Sequence, residues 1–231
     1  MPLALFTDFS LGQAVAAVLL LLVFSFFTFS KKTLSLAGIV FGNIAGIIVF
    51  LFGGFAAFLA IAVFFALGEA STIFSRKQIK KMHEQRTPSN IVGNSGAAII
   101  ALLFGSPLGF FGAISAALSD TASSEIGMLS KKKPRLITDF REVPIGTNGG
   151  ITSLGLVAGI LGAAIIGAIY FFQSQSAAMF SVVTVAGISG SVADSLLGAL
   201  FEGHGRLSNS QVNFIATLCG ALVAVFLGAM I

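Results

Sequence analysis

The polar residues with the clearest chemical potential lie in one interval, from Ser119 to Thr152. It is the longest polar stretch in a chain that is 56% hydrophobic. Carboxylates with water are the ligands that Mg²⁺ prefers, while Lys, Arg and the N–H groups of a glycine turn before a helix attract phosphate oxygens. The interval therefore predicts a metal and phosphate site, and the alternative is a solvated loop that only sets topology. Its charged residues and its turn are Asp120, Glu125, Asp139, Glu142, Lys131, Lys132, Lys133, Arg135, Arg141 and Gly146 to Gly150.

The composition places these residues in a membrane protein. The chain has 231 residues, a mean hydropathy of +0.99 and only 10% charged residues, which is more apolar than a soluble core of this length can bury. We expect an all-α polytopic membrane protein that forms a single integral membrane domain over residues 1–231. The net charge of +4 comes from cations in short loops between apolar runs, so we expect no nucleic acid partner.

The apolar runs predict about eight transmembrane helices with short loops. If they cross the bilayer alternately, all 13 Lys and Arg fall in the loops after the odd-numbered spans. By the positive-inside rule, the catalytic loops are then cytoplasmic and both termini lie outside. The spans run roughly over residues 11–29, 33–53, 54–67, 90–105, 107–119, 151–172, 178–200 and 212–231, with Gly53 and Gly54 separating the second from the third.

A weak internal repeat pairs two of the acidic residues. The octapeptide ISAALSDT, which ends at Thr121, matches ISGSVADS, which ends at Ser195, in its Ile, Ser and Asp. Both copies end spans that run in the same direction, so Asp120 and Asp194 should lie at similar depth. An ionised Asp beside hydrocarbon needs a partner, which a shared cation would supply. The alternative is two helix-end carboxylates bonded to Ser, Asn or Arg neighbours.

A second polar group precedes the fourth span. Arg86 is followed by Asn90 and Asn94, which are one helical turn apart and should face the same way. The two amides form part of a binding site, or they cap the helix and bond a neighbouring helix.

Four stretches together resemble a known family. They are RTPSNIVGN from Arg86, SDTASSEIG from Ser119, TDFREVPIGTNGGIT from Thr138 and GISGSVADSLLG from Gly187. They resemble the integral membrane family of phytyl-phosphate kinase and transmembrane protein 19, which is distantly similar to CTP-dependent dolichol kinase and CDP-diacylglycerol synthase. The resemblance covers nearly the whole chain, although Asn148-Gly149 stands where plant members have an acidic residue and Gly.

The resemblance implies a CTP-dependent kinase that converts a polyprenyl-type monophosphate, phytyl or geranylgeranyl, to the diphosphate. The acceptor is already an ionised phosphate, so no strong general base is needed, and His204 is left outside the site. Three carboxylates are expected to hold Mg²⁺ and, with Arg141, to form the catalytic group: Asp120, Glu125 and Asp194. Binding of the CTP phosphates is expected from Lys133, Arg135, Arg141, Gly146, Thr147, Asn148, Gly149, Gly150 and Thr152. Binding of the lipid phosphate is expected from Arg86, Asn90 and Asn94.

Two other functions use the same features. A cytidylyltransferase that joins CMP to a lipid phosphate needs the same triphosphate and metal site. A transporter would share the glycine-rich helices and the repeat, but transporter sites lie near the membrane midplane, whereas the charges here lie in or beside loops.

Overall fold

The computed structural model describes residues 8–79 and 85–231. This part of the chain is a bundle of α-helices with one pair of very short antiparallel strands, which confirms the all-α polytopic prediction. A 3₁₀ turn over Glu202–His204 separates the last two helices. The elements are α1 (Leu11–Lys31), α2 (Leu36–Ile79), α3 (Pro88–Leu103), α4 (Pro107–Gly127), β1 (Arg135–Leu136), β2 (Gly150–Ile151), α5 (Ser153–Ser174), α6 (Ala177–Leu200) and α7 (Asn209–Gly228).

Side-chain caps begin several of these helices. Ser10 and Gln13 form a capping box at the start of α1, and Ser208 and Gln211 form another at the start of α7. Thr152 accepts a hydrogen bond from the third residue of its helix and so caps α5. These side chains satisfy N–H groups that have no partner inside the helix. Local sequence therefore sets where these helices begin.

The long helix α2 is folded back on itself at Gly54. This residue has φ 73° and ψ −173°, a conformation that glycine reaches readily. A Cβ on Gly46 would lie 3.5 Å from the Phe58 ring, whereas twelve residues of straight helix would separate the two by about 18 Å. Residues 36–53 and 55–79 are therefore two antiparallel halves. The predicted break at Gly53 and Gly54 is confirmed.

The predicted count of eight spans is not reached when each helix is judged by length and apolar character. Within the described ranges, five helices are long and apolar enough to cross a membrane: α1, α2, α5, α6 with the following 3₁₀ turn, and α7. The count is lower for three reasons. The folded α2 counts once, α3 has only 16 residues, and the last third of α4 is polar.

Helix α4 is the centre of the bundle and contacts α2, α3, α5, α6 and α7. Its residues 109–119 are all buried. Small residues allow close approach here: a Cβ on Gly112 would lie 2.6 Å from the carbonyl oxygen of Gly220, and one on Gly190 would lie 2.3 Å from Cβ of Ala116. Asp120 directly follows this buried run. Its backbone is therefore held by packing on several sides.

The polar loops meet at one end of the bundle. Ser35 donates its N–H to the carbonyl oxygen of Arg86 at 3.1 Å, and Ser75 on α2 donates to the Glu125 carboxylate on α4. The Lys and Arg residues that the structure describes lie at this end, which we call the polar end, while Lys80 and Lys81 lie outside the described residues. The opposite end holds the bend at Gly54 and the contact of the Phe9 and Phe50 rings.

Candidate active site

A cavity of about 460 Å³ opens at the polar end. The second half of α2, the first turns of α3 and α7, the last turns of α4 and α6, and the glycine turn before α5 form its walls. Most of the predicted site residues lie on these walls, although they are spread over more than a hundred positions of the chain. They are Arg86, Asn90, Asn94, Asp120, Glu125, Gly146, Thr147, Asn148, Gly149, Gly150, Thr152 and Asp194.

Asp120 and Asp194 face each other within hydrogen-bonding reach. Helices α4 and α6 pack side by side in the register that the repeat predicts, since Ala116 meets Gly190 one turn before the two carboxylates. A pair of hard oxygen ligands at one place fits Mg²⁺, which is commonly bound by one or two carboxylates together with water and substrate phosphates. The structure thus brings the repeated aspartates together.

Sequence reasoning missed three polar neighbours of this pair. Glu202 lies near both aspartates and near the Asn148 and Asn209 side chains, and all five residues line the cavity. Asn213, with its amide nitrogen turned toward Asp194, donates to Oδ2 at 3.0 Å. The spacing of Asn209 and Asn213 repeats that of the earlier amide pair at the start of α3. That shared spacing is the signal that could have identified them.

Glu125 lines the cavity but does not lie beside the aspartate pair. It follows Asp120 by five positions, which turns it by roughly 140° around the helix, and its carboxylate accepts a hydrogen bond from Ser75 of α2. Among the described residues, no group of three or more His, Cys, Asp or Glu side chains is arranged to hold a metal ion. Binding of Mg²⁺ by Asp120, Glu125 and Asp194 together therefore stays a prediction.

Arg86 is held from several directions. Its Nε lies 3.3 Å from Oε2 of Glu69, and another guanidinium nitrogen donates to Oγ1 of Thr72 at 3.1 Å. Its backbone N–H donates to the Thr33 carbonyl at 2.9 Å. The side chain is 18% exposed and that of Glu69 only 2%, so this is a largely buried ion pair. The guanidinium is thereby positioned in the cavity wall.

Asn90 and Asn94 line the cavity together, as their spacing predicted. Oδ1 of Asn90 also accepts the N–H of Thr87 at 2.8 Å, and Nδ2 of Asn94 donates to the carbonyl of Asn90 at 2.9 Å. The two amides therefore stabilise the start of α3 as well as facing the cavity. Binding of a phosphate by them stays a prediction.

The glycine turn lies against α6 close to Asp194. Gly149 has φ 77°, and a Cβ there would lie 2.6 Å from the Ser195 carbonyl oxygen, so only glycine fits without strain. Ile137 donates its N–H to the Gly149 carbonyl at 2.9 Å beside the β1–β2 ladder. Inside the turn, Thr147 and Gly150 already use their N–H groups at 3.2 and 2.9 Å. The turn thus has fewer free donors than its length suggests.

The three loop cations predicted to bind CTP lie outside this cavity. Lys133 is 75% exposed with its Nζ 3.8 Å from Glu142, and Arg141 is 71% exposed with its Nε 3.3 Å from Asp139. Arg135 is exposed as well. Because all three belong to the loop that carries β1, we call them the outer-loop cations. Their role in nucleotide binding stays a prediction.

Fold and site define a polytopic helical membrane protein with a paired-aspartate cavity at one end of the bundle. The chain belongs to the integral membrane protein family DUF92, whose model matches residues 19–221. This confirms the family that the sequence motifs indicated.

Several curated proteins are similar to this chain. It is 38% identical to an uncharacterised membrane protein of Methanocaldococcus jannaschii, over 94% of this chain and 95% of that protein. It is 31% identical to the chloroplastic protein VTE6 of Arabidopsis thaliana, over 84% of this chain and 65% of that protein. It is 27% identical to protein PGR of the same plant, over 85% of this chain and 81% of that protein. No solved structure matches the chain.

Proposed function

We propose that this protein is a CTP-dependent kinase that phosphorylates a polyprenyl-type monophosphate, such as phytyl or geranylgeranyl phosphate, to the diphosphate. The observation that carries the proposal is the convergence of the aspartate pair, Arg86 and the glycine turn on one cavity. Membership of DUF92 and similarity to VTE6 support a kinase of this type, because the motifs resemble the family of phytyl-phosphate kinase.

The reaction joins two phosphates. An oxygen of the lipid phosphate attacks the γ-phosphorus of CTP, the bond from that phosphorus to the β–γ bridging oxygen breaks, and CDP leaves with the bond's electrons. The attacking oxygen is already ionised, so no proton has to be removed. Such transfers depend on positioning and on neutralising charge, with little covalent work left to the protein.

Each part of the cavity has a role in this scheme. Asp120 and Asp194 would hold Mg²⁺, which supplies neutralisation of the triphosphate when bound. Arg86 would orient the lipid phosphate, because charge-assisted hydrogen bonds from a guanidinium match phosphate oxygens well. The turn around Gly149 would lie along the nucleotide phosphates.

The test is a transfer assay with the purified protein in detergent, Mg²⁺, geranylgeranyl phosphate and CTP labelled at the γ- or the α-phosphate. We expect γ-label in a lipid diphosphate identified by mass, and CDP as the second product. Incorporation of α-label with release of pyrophosphate would instead identify a cytidylyltransferase. No incorporation of either label would overturn the proposal. Asp194→Asn should lose the activity, and Asp8→Asn is the matched control because Asp8 is exposed, far along the chain from the site.

We propose further that the polar end faces the cytoplasm, where CTP is available, and that both termini lie outside. The cations of the polar end support this orientation through the positive-inside rule. In a Cys219→Ala background, Ser174→Cys should react with an impermeant thiol reagent added to intact cells, and Ser130→Cys should react only after the membrane is opened. The reverse pattern would invert the orientation.

A further inference from the structure

A second cavity, almost entirely apolar, lies beside the polar one. It has a volume of about 670 Å³ and is bounded by α1, by both halves of α2 and by the start of α3. This volume lies within the roughly 300–1,000 Å³ that is usual for ligand pockets. We call it the apolar groove. Phe24, Phe27 and Phe65 are among the side chains that line it.

The apolar groove and the polar cavity share one wall. Arg86, Asn90 and Asn94 line both, and the remaining groove residues are mostly aliphatic or aromatic. A ligand with an anionic head and an apolar tail could therefore place its head at Arg86 and its tail in the groove. This continuity and the charge of Arg86 specify the chemistry of the occupant.

The groove is long and has a defined floor. Along the second half of α2, its lining extends from Lys77 at the polar end to Phe58, about 28 Å of helix, which is close to the roughly 30 Å thickness of the hydrocarbon core. At the floor, the Phe58 ring packs edge-on against Phe50 with centroids 5.8 Å apart. Gly46 lies at the floor as well, and Leu21 of α1 packs directly on it, since a Cβ on Gly46 would lie only 2.8 Å from the Leu21 side chain.

We propose that the apolar groove binds the isoprenoid chain of the lipid phosphate, and that its floor at Gly46 and Phe58 limits the length of chain accepted. The inference rests on the proposed function for the identity of the lipid. It adds where the tail lies and which residues select its length. A chain reaching from Arg86 to the floor fills the groove, whereas a longer one meets the packed rings.

Photolabelling tests the location without requiring turnover. The probe is geranylgeranyl phosphate with a diazirine at the far end of its chain, bound to the full-length protein in phosphatidylcholine vesicles, irradiated and mapped by peptide mass spectrometry. We expect label near Gly46 and Phe58, and competition by unlabelled geranylgeranyl phosphate but not by equimolar dioleoyl phosphatidic acid. Label elsewhere, or equal competition by both lipids, would overturn the inference, the second result indicating an ordinary bilayer lipid as occupant.

The photolabelling and transfer assays test the kinase proposal and the tail-site proposal independently. Specific labelling at the floor without any transfer from CTP would refute the kinase and leave the tail site standing. Transfer from CTP with label on another surface would refute the tail site alone.

A matched pair of glycine variants tests the length limit. Gly46→Leu should fill the floor, and the ratio of kcat/KM for geranylgeranyl phosphate to that for geranyl phosphate should fall by about tenfold or more, because the longer chain loses buried methylenes. Gly96→Leu is the control: like Gly46, it has only side-chain atoms near its missing Cβ, but these belong to Phe214 and Val92 outside the groove.

An unchanged ratio in folded Gly46→Leu protein would overturn the length limit. If that variant does not fold, Leu21→Phe fills the same place from α1 and must lower the same ratio. An unchanged ratio with both lipids in folded Leu21→Phe protein would likewise overturn it.

Discussion

Two groups of cations at the polar end are held very differently. Arg86 is largely buried, touches Glu69 and Thr72, and borders both cavities. The outer-loop cations are exposed, and both Lys133 and Arg141 pair with carboxylates of their own loop. A charge in a partly buried wall acts on a phosphate with less screening than one in bulk water. The number of cations in a loop therefore does not indicate which of them line a binding cavity.

The largest effect should come from the two aspartates that face each other in the polar cavity. Asp120→Asn and Asp194→Asn should each lower kcat by roughly 10²–10³-fold or more, because a neutral amide cannot balance the charge of a divalent ion in the transition state. Thermal unfolding in detergent should change much less. Asp139→Asn in the outer loop should cost less than about threefold, since that side chain is exposed. If Asp120→Asn or Asp194→Asn keeps near-normal turnover, the substituted aspartate has only a structural role.

Arg86→Ala should have the next largest effect. Loss of a charge-assisted contact to phosphate costs about 1.5–3 kcal/mol, so we expect KM for the lipid phosphate to rise roughly 10- to 150-fold with KM for CTP little changed. Steady-state kinetics with each substrate varied in turn measures both constants. A shift confined to the CTP term would reverse the assignment of the two phosphates.

Glu69→Gln should have a smaller effect, acting through Arg86. The substitution keeps the shape but weakens the ion pair that positions the guanidinium 3.3 Å away, so KM for the lipid phosphate should rise several-fold. The distinguishing readout is a double-mutant cycle with Arg86→Ala, in which coupled residues show about 0.5–3 kcal/mol of non-additivity. Additive effects on KM would make Glu69 a purely structural residue.

Arg141→Ala should have the smallest effect. The side chain is exposed and paired with Asp139, so KM for CTP should rise by less than about threefold, and the rise should vanish at high salt. Titration of CTP at low and high ionic strength checks this. If KM for CTP instead rises more than tenfold and the rise persists at high salt, Arg141 contacts the nucleotide. The outer-loop cations would then bind a ligand as Arg86 is proposed to do.

Much of the fold is predictable from local sequence. The apolar runs indicate the helices, the Ser and Thr caps mark several of their starts, and Gly53-Gly54 marks the fold in α2. The number of spans is harder to predict, because α3 is shorter than a usual crossing and α4 becomes polar before it ends. By length and hydropathy, the described helices therefore include five candidate spans, where the sequence predicted eight.

Some of the site residues could likewise be predicted from the sequence, and others could not. The repeat around Asp120 and Asp194 correctly places two side chains together, because equal positions on parallel helices lie at equal depth. Glu125 is not part of the repeat and was grouped with the two aspartates on the family motifs; its carboxylate accepts a hydrogen bond from Ser75 of α2. Glu202 carries no motif in a single sequence that links it to the pair, and Asn213 is indicated only by its four-residue spacing from Asn209.

The amino-acid sequence by itself determined the membrane class, the family, the helix starts and the paired aspartates, since these follow from composition, short motifs and helical periodicity. Only the tertiary structure decided that Arg86 borders both a polar and an apolar cavity, while the outer-loop cations border neither. The physical reason is the distance along the chain between the residues that determine each feature. Caps and periodicity depend on residues within a few turns, whereas a cavity wall depends on how helices far apart in the chain pack, and small residues such as Gly112 and Gly190 control that packing.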